Sequence, residues 1–191
     1  MARTREFDAL AAVSAVEGIF WEKGYDGTSY ADLTKATGLG KGSIYAAFGN
    51  KKSLYIKALE NYIMREVEAL GALILQKYEN DPSQWRACLM DFFNVAIDAV
   101  QKRQDRRGCF LCNAAVDLAP YDKEVEATVM EALGKVKSAL SVVLEHNVEE
   151  QKRDGIAEYI LSIYLGMRVM AKAGTTPAQL TVVRDTTIAS L

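Results

Sequence analysis

The side chains best suited to meeting a partner lie between residues 28 and 52. Lys41, Gly42, Ser43, Tyr45, Ala46 and Ala47 are small, basic or hydroxylated, and no acid interrupts them. A helix entering a major groove needs small residues for close approach, with amines and hydroxyls for phosphates and base edges. Lys41, Gly42 and Ser43 are therefore expected to face base edges. Thr28, Tyr45, Lys51 and Lys52 are expected to hold phosphates.

Other chemistry is sparse. Cys109 and Cys112 form a C-x-x-C, with Cys88 as the third cysteine. Arg106 and Arg107 nearby could lower a thiol pKa and make the pair a redox sensor. Phe110, Leu111, Ala114, Ala115 and Val116 instead point to a packed segment, since free cysteine is often buried. A zinc site needs about four ligands, and the single histidine, His146, has no evident companion. No nucleophile–base–acid constellation, paired acids in an apolar setting or glycine-rich phosphate loop is present. No enzymatic activity, metal or cofactor is expected.

The elements that must carry the first set read as two short helices and a tight turn. Thr28 or Ser29 can cap the first, and Ser29 with Asp32 has the spacing of an acidic capping box. Leu33, Ala36 and Thr37 give an inward face. Gly38 stops the helix, because a backbone with positive φ is cheap only without a Cβ. Leu39 fills the angle, and Gly40 opens a second helix over 41–47 with Ile44 and Phe48 inward. This is a helix–turn–helix pattern.

The same residues resemble a known family. Thr-Ser-x-x-x-Leu-x-x-x-x-Gly-Leu-x-Lys-Gly-Ser-Ile-Tyr-x-x-Phe-x-Asn-Lys-x-x-Leu, from Thr28 to Leu54, is similar to the DNA-binding domain of TetR-family transcriptional regulators. The chain departs at Thr34, Gly40, Ala47 and Lys52, where that family usually has Ala, Ser, His or Tyr, and an acid. These departures remove one usual phosphate contact and offer another. The resemblance implies an operator-binding homodimer, usually a repressor, that releases a palindromic site on binding a small effector.

The rest of the chain reads as all-α. A first helix is expected over 6–24, with Leu10, Val13, Val16 and Phe20 as its buried stripe and the basic residues Arg3 and Arg5 before it. A long helix over 51–78 carries Leu59, Ile63, Val67, Leu70 and Ile74. Asp81-Pro82 restarts the chain into a helix that ends near 101, and a short apolar helix follows over 109–118. Asp122 caps another long helix, to about 149. Residues 151–155 read as a polar break before an apolar helix over 156–172. Thr176-Pro177-Ala178-Gln179 is a capping box that opens the last helix. Residues 1–50 are expected to form the DNA-binding domain and 51–191 an effector-binding and dimerisation domain.

Aromatic residues are frequent in the middle of the chain, with a few polar groups in apolar surroundings. Trp85, Phe92, Phe110, Asn113, Asp117, Tyr164 and Arg168 are the candidates for a small-molecule site. The last two helices hold surplus apolar surface, as a twofold dimer interface would require. The chain is half apolar and a quarter charged, an ordinary globular balance. Net charge is −2 overall, with a slight positive excess in residues 1–52. Three cysteines, no long uncharged apolar run and no export-like start argue for a cytoplasmic protein without a membrane span.

Overall fold

The computed structural model describes residues 8–191, and all regular structure within them is helical. Arg3, Arg5 and the first two residues of the expected opening helix lie outside the described residues. Helix α1 (Ala9–Lys23) is capped by Asp8, whose carboxylate accepts the Leu10 and Ala11 N–H groups. Val13, Val16 and Phe20 are buried as expected, but Leu10 is 72% exposed. It lines the rim of an open cleft that α1 forms with Phe48 and with Lys57, Asn61 and Met64.

Helix α2 (Tyr30–Thr37) starts at Ser29, whose hydroxyl and Asp32 complete the reciprocal capping box. Gly38 ends it at φ 69°, the left-handed conformation expected of that glycine. Helix α3 (Lys41–Phe48) begins at Gly40 in extended conformation and buries Ile44 and Phe48. The two short helices and their turn lie against α1 and α4.

The expected long helix is present but not uniform. Helix α4 (Lys51–Tyr62) passes through a π-helical turn, Ile63–Glu68, into α5 (Ala69–Asn80). A π turn inserts one residue into the helical ladder and often marks a functional position. Here it sets Tyr62, Glu66 and Val67 in one cavity wall. Asp81 caps the 3₁₀ turn Pro82–Gln84, and α6 (Trp85–Gln101), α7 (Phe110–Asp117) and α8 (Lys123–Val143) follow. Asp122 caps α8 as its sequence implies, although the helix stops at Val143 rather than near 149.

The polar stretch 151–155 is not a break. Helix α9 runs unbroken from Glu150 to Lys172, with the charged residues as its exposed first turns. Lys137 of α8 pairs with Asp154 and Glu158 there, and Arg153 donates to the Glu145 carbonyl. Helix α10 (Pro177–Ala189) opens with the Thr176–Gln179 capping box.

Two apolar cores result. The first joins Val16, Phe20, Leu33, Ile44, Leu54 and Tyr55 with Phe110, Leu111, Ala114 and Val125. Helix α7 and the start of α8 thus pack into the core of the helix–turn–helix. The second gathers Phe92, Phe93 and Ala96 with Leu140, Ile160, Leu161, Met167 and Leu180. No described helix is long and apolar enough to cross a membrane.

Candidate nucleic-acid interface and buried cavity

Helix α3 is a short rod with one face in the core and the rest in solvent. Lys41, Gly42, Ser43, Tyr45, Ala46 and Ala47 are all exposed. Nothing would meet a Cβ at Gly42, so close approach from outside is open. Two tyrosines brace the rod. The Tyr45 ring stacks on Tyr30 at 5.3 Å between centroids, and the Lys41 ammonium lies 4.8 Å from the Tyr30 ring. The Tyr30 hydroxyl in turn accepts the Lys51 backbone N–H at 3.2 Å. Its pKa is raised, first by its hydrogen bond with Tyr45 and then by burial.

Lys51 stands at the N-terminus of α4 with its ammonium 4.4 Å from the Tyr25 ring. That stacking holds the charge on the same side as α3 without neutralising it. The sequence reading missed Tyr25 and Tyr30. Their only sequence signal is that both rings flank the turn entering α2.

Two of the expected phosphate contacts are placed otherwise. Thr28 is 1% exposed, and its hydroxyl donates to the Gly24 carbonyl at 2.7 Å. It closes the end of α1 and has no donor left for a phosphate. Lys52 pairs with Asp122 at 2.9 Å and Glu124 at 3.1 Å, tying α4 to the cap of α8. The lysine that stands in place of an acid is thus committed inside the molecule.

A cavity of about 30 Å³ lies between the π turn and helices α5 to α9. Val67, Leu70, Val95, Leu133 and Leu161 form its apolar wall, while Tyr62, Cys109, Tyr164 and Arg168 bring polar atoms. Of the seven residues expected at a small-molecule site, Phe92, Tyr164 and Arg168 line it.

The other four do not. Trp85 is in the second core with Arg86 over its ring, and Phe110 is wedged between Tyr55 and Tyr62 in the first. Asn113 donates to the Trp21 and Arg107 carbonyls, both at 3.1 Å. Asp117 accepts the Tyr25 N–H at 2.5 Å. Asn113 therefore holds the last turn of α1, and Asp117 holds the loop between α1 and α2.

Cys109 lies at the N-cap of α7, buried and facing the cavity, while Cys112 is half-buried one turn on. The Tyr62 hydroxyl donates to the Cys109 sulfur at 3.4 Å. The Cys112 thiol donates to the same sulfur, and with Arg168 and Tyr62 it lowers the Cys109 pKa against the opposing effect of burial. The shared bond, first, and then burial push Cys112 the other way. The sequence pointed to Arg106 and Arg107 as the cations for these cysteines, but Arg106 donates to the Ala171 carbonyl and Arg107 pairs with Asp105 over the Trp21 ring. The cation that acts on them is Arg168, 59 residues after Cys109 on α9. Among the described residues no cluster of His, Cys, Asp and Glu could hold a metal ion.

Comparison with known proteins bears on both regions. The family described as bacterial regulatory proteins, tetR family, matches residues 13–58, and a tetracyclin repressor-like C-terminal domain matches residues 86–187. The transcriptional repressor ComR of Escherichia coli is 28% identical, over 97% of this chain and 90% of its own length. An uncharacterized regulator of Bacillus subtilis, YezE, is 25% identical over 90% of each. A cysteine-substituted form of the TetR-family regulator CifR, solved on 26 base pairs of operator DNA, superposes with a TM-score of 0.84 at 22% identity over 98% of both chains.

Proposed function

The chain belongs to the TetR family of bacterial regulatory proteins, and from that premise we propose that it represses transcription by binding a palindromic operator and releases it when a small molecule enters the cavity. The observation that carries this reading is the acid-free, exposed outer face of α3, set at the left-handed Gly38 turn. Lys41, Gly42 and Ser43 read base edges. Tyr45 and Lys51 hold phosphates, with Tyr30 fixing both.

The dimer forms through α9 and α10. Tyr159, Gly166, Val169 and Met170 make an exposed stripe on α9, and Ala178 and Val182 continue it on α10. Two copies related by a twofold axis bury this stripe and present two α3 helices to successive major grooves. Relatives named as repressors, ComR among them, support the sign of regulation.

A cavity near 30 Å³ holds only a few atoms, since one water requires roughly 10–15 Å³. Any larger effector must separate the helices around it. Its binding energy then shifts the protein only by the difference in affinity between closed and opened forms. Duplexes selected from a random library by the purified protein test the proposal. A palindromic consensus with steep salt dependence is expected, and recovery of no consensus rejects sequence-specific binding.

The setting of Cys109 favours a second reading, in which this thiol is the sensor. Peroxide would oxidise the Cys109 thiolate to a sulfenic acid with release of hydroxide. The Cys112 thiol would then attack that sulfur, expelling water and closing a disulfide. Peroxide is expected to weaken operator binding by the natural chain and not by the Cys109→Ser/Cys112→Ser variant. Equal loss in both rules this reading out.

A further inference from the structure

Arg168 has an unusual environment for a cation. It is 4% exposed, and among the described residues no carboxylate lies within ion-pairing distance. Asp105 feels its charge but is engaged by both the backbone N–H and the guanidinium of Arg107. One guanidinium nitrogen of Arg168 donates to the Gly108 carbonyl, and Nε has no partner. A buried charge without a counter-charge costs several kcal/mol, so some nearby group must carry the opposite sign.

The candidates around it are Tyr62 from α4, Cys109 and Cys112 from α7, and Tyr164 on its own helix. Glu66 lines the cavity as well, but its carboxylate turns to Arg65 and Arg103 at the surface. Burial pushes the pKa of both tyrosines up, which keeps them neutral. The bond to Cys109 and burial raise Cys112 as well, whereas Cys109 directly follows the Gly108 carbonyl that Arg168 holds and lines the same cavity. That leaves the sulfur of Cys109.

Gly108 connects this pair to the helix. It has φ 80°, and a Cβ there would meet the Arg168 carbonyl and Lys172 at 3.3 Å. With its positive φ and that close approach, the position suits glycine, which lets the loop before α7 lie this close to α9. The arginine therefore grips the residue directly before Cys109, at the start of a helix whose middle holds Trp21 through Asn113 and whose far end holds Tyr25 through Asp117.

We infer that Arg168 is the charge partner of Cys109 and that it transmits the state of that sulfur, through the Gly108 carbonyl and α7, to the loop between α1 and α2. This rests on the thiol reading above. When the sulfur is alkylated or oxidised its negative charge is lost, and Arg168 is stranded. The guanidinium must then move toward water or another anion. The Gly108 carbonyl loses its donor, α7 shifts, and its contacts carry the shift to the end of α1 through Asn113 and to the loop entering α2 through Asp117. Arg168 is thus a positioning residue that acts through Cys109.

Iodoacetamide is a suitable probe, since it forms one S–C bond and expels iodide. The rate of Cys109 alkylation against pH is measured by peptide mass in the full-length chain, together with affinity for the selected operator before and after modification. In the natural chain the midpoint should fall well below the value of about 8.5 for a free thiol, and full modification should weaken operator binding about tenfold, a typical allosteric coupling. In Arg168→Met the midpoint should rise, slowing alkylation at pH 6.5 by about tenfold for each unit gained. The fully modified variant should bind operator as its unmodified form does.

An unchanged midpoint in Arg168→Met refutes the charge pairing. Equal loss of affinity in the modified variant refutes transmission through Arg168. If modification of the natural chain leaves operator binding intact, the thiol reading fails and the relay with it, while the midpoint still reports on the pairing. Should Arg168→Met not fold, Arg168→Lys separates the two roles. It should keep a low midpoint and lose the coupling, because an ammonium cannot reproduce the planar grip on Gly108; retained coupling would overturn the relay.

Discussion

The molecule contains two clusters of tyrosines around a cation, and they behave in opposite ways. On the outside, Lys41 lies over Tyr30 beside the stacked Tyr45, with its charge open to solvent. On the inside, Arg168 sits among Tyr62, Tyr164 and Cys109 in a cavity wall. The ingredients are nearly the same. In water a cation over a ring keeps its full capacity to meet a phosphate, and the ring only fixes its place. In the interior the same charge must be answered by a group of the protein itself, so it is bound to an internal partner. Exposure, rather than residue type, is what suits one cluster to the proposed operator contact and the other to the proposed internal relay.

This contrast can be broken at several points. The largest effect belongs to the buried side. Phe92 is fully buried with its ring centroid 4.3 Å from that of Tyr164. Phe92→Ala should cost about 3–5 kcal/mol of stability in denaturant unfolding; a loss below about 1 kcal/mol would show that the cavity wall collapses freely. Next comes the exposed face. Ser43→Ala should change which base is preferred at one operator position, by about 1–3 kcal/mol in competition binding, with the melting temperature unchanged. Uniform weakening across sequences would remove Ser43 from base reading.

Tyr45→Ala and Lys51→Ala should weaken binding to all duplexes alike. The Lys51 variant should also lower the slope of log affinity against log salt by about one. An unaltered slope would take Lys51 out of the phosphate set. The smallest effect is expected at Lys52, whose pairing with Asp122 and Glu124 is partly exposed. Lys52→Ala should reduce stability by about 0.2–1 kcal/mol and leave the salt slope as it was. A drop in slope there would return Lys52 to the DNA surface and erase its contrast with Lys51.

The helix–turn–helix was legible because its determinants are local. Ser29 and Asp32 are three residues apart, Gly38 answers a backbone need of its own, and the acid-free run on α3 is continuous. The cavity was only half legible. Phe92, Tyr164 and Arg168 were visible as odd residues in apolar stretches. Asn113 and Asp117 gave the same signal, yet they serve the backbone of Trp21 and Tyr25. A polar residue in an apolar helix announces a buried partner, without saying whether that partner is a ligand or another part of the chain.

By itself the sequence determined the helix ends that carry a cap, at Ser29, Gly38, Asp122 and Thr176, much of the apolar faces between them, and that a slim basic rod follows a glycine turn. Those properties depend on side chains within a turn or two of one another. Only the tertiary structure decided that Thr28 turns inward, that Lys52 is held by an acid 70 residues away, and that Arg168 of α9 holds the Gly108 carbonyl directly before Cys109. Such pairings follow from the crossing of distant helices, and crossing is set by the packing of whole faces into two cores rather than by any single residue's preference.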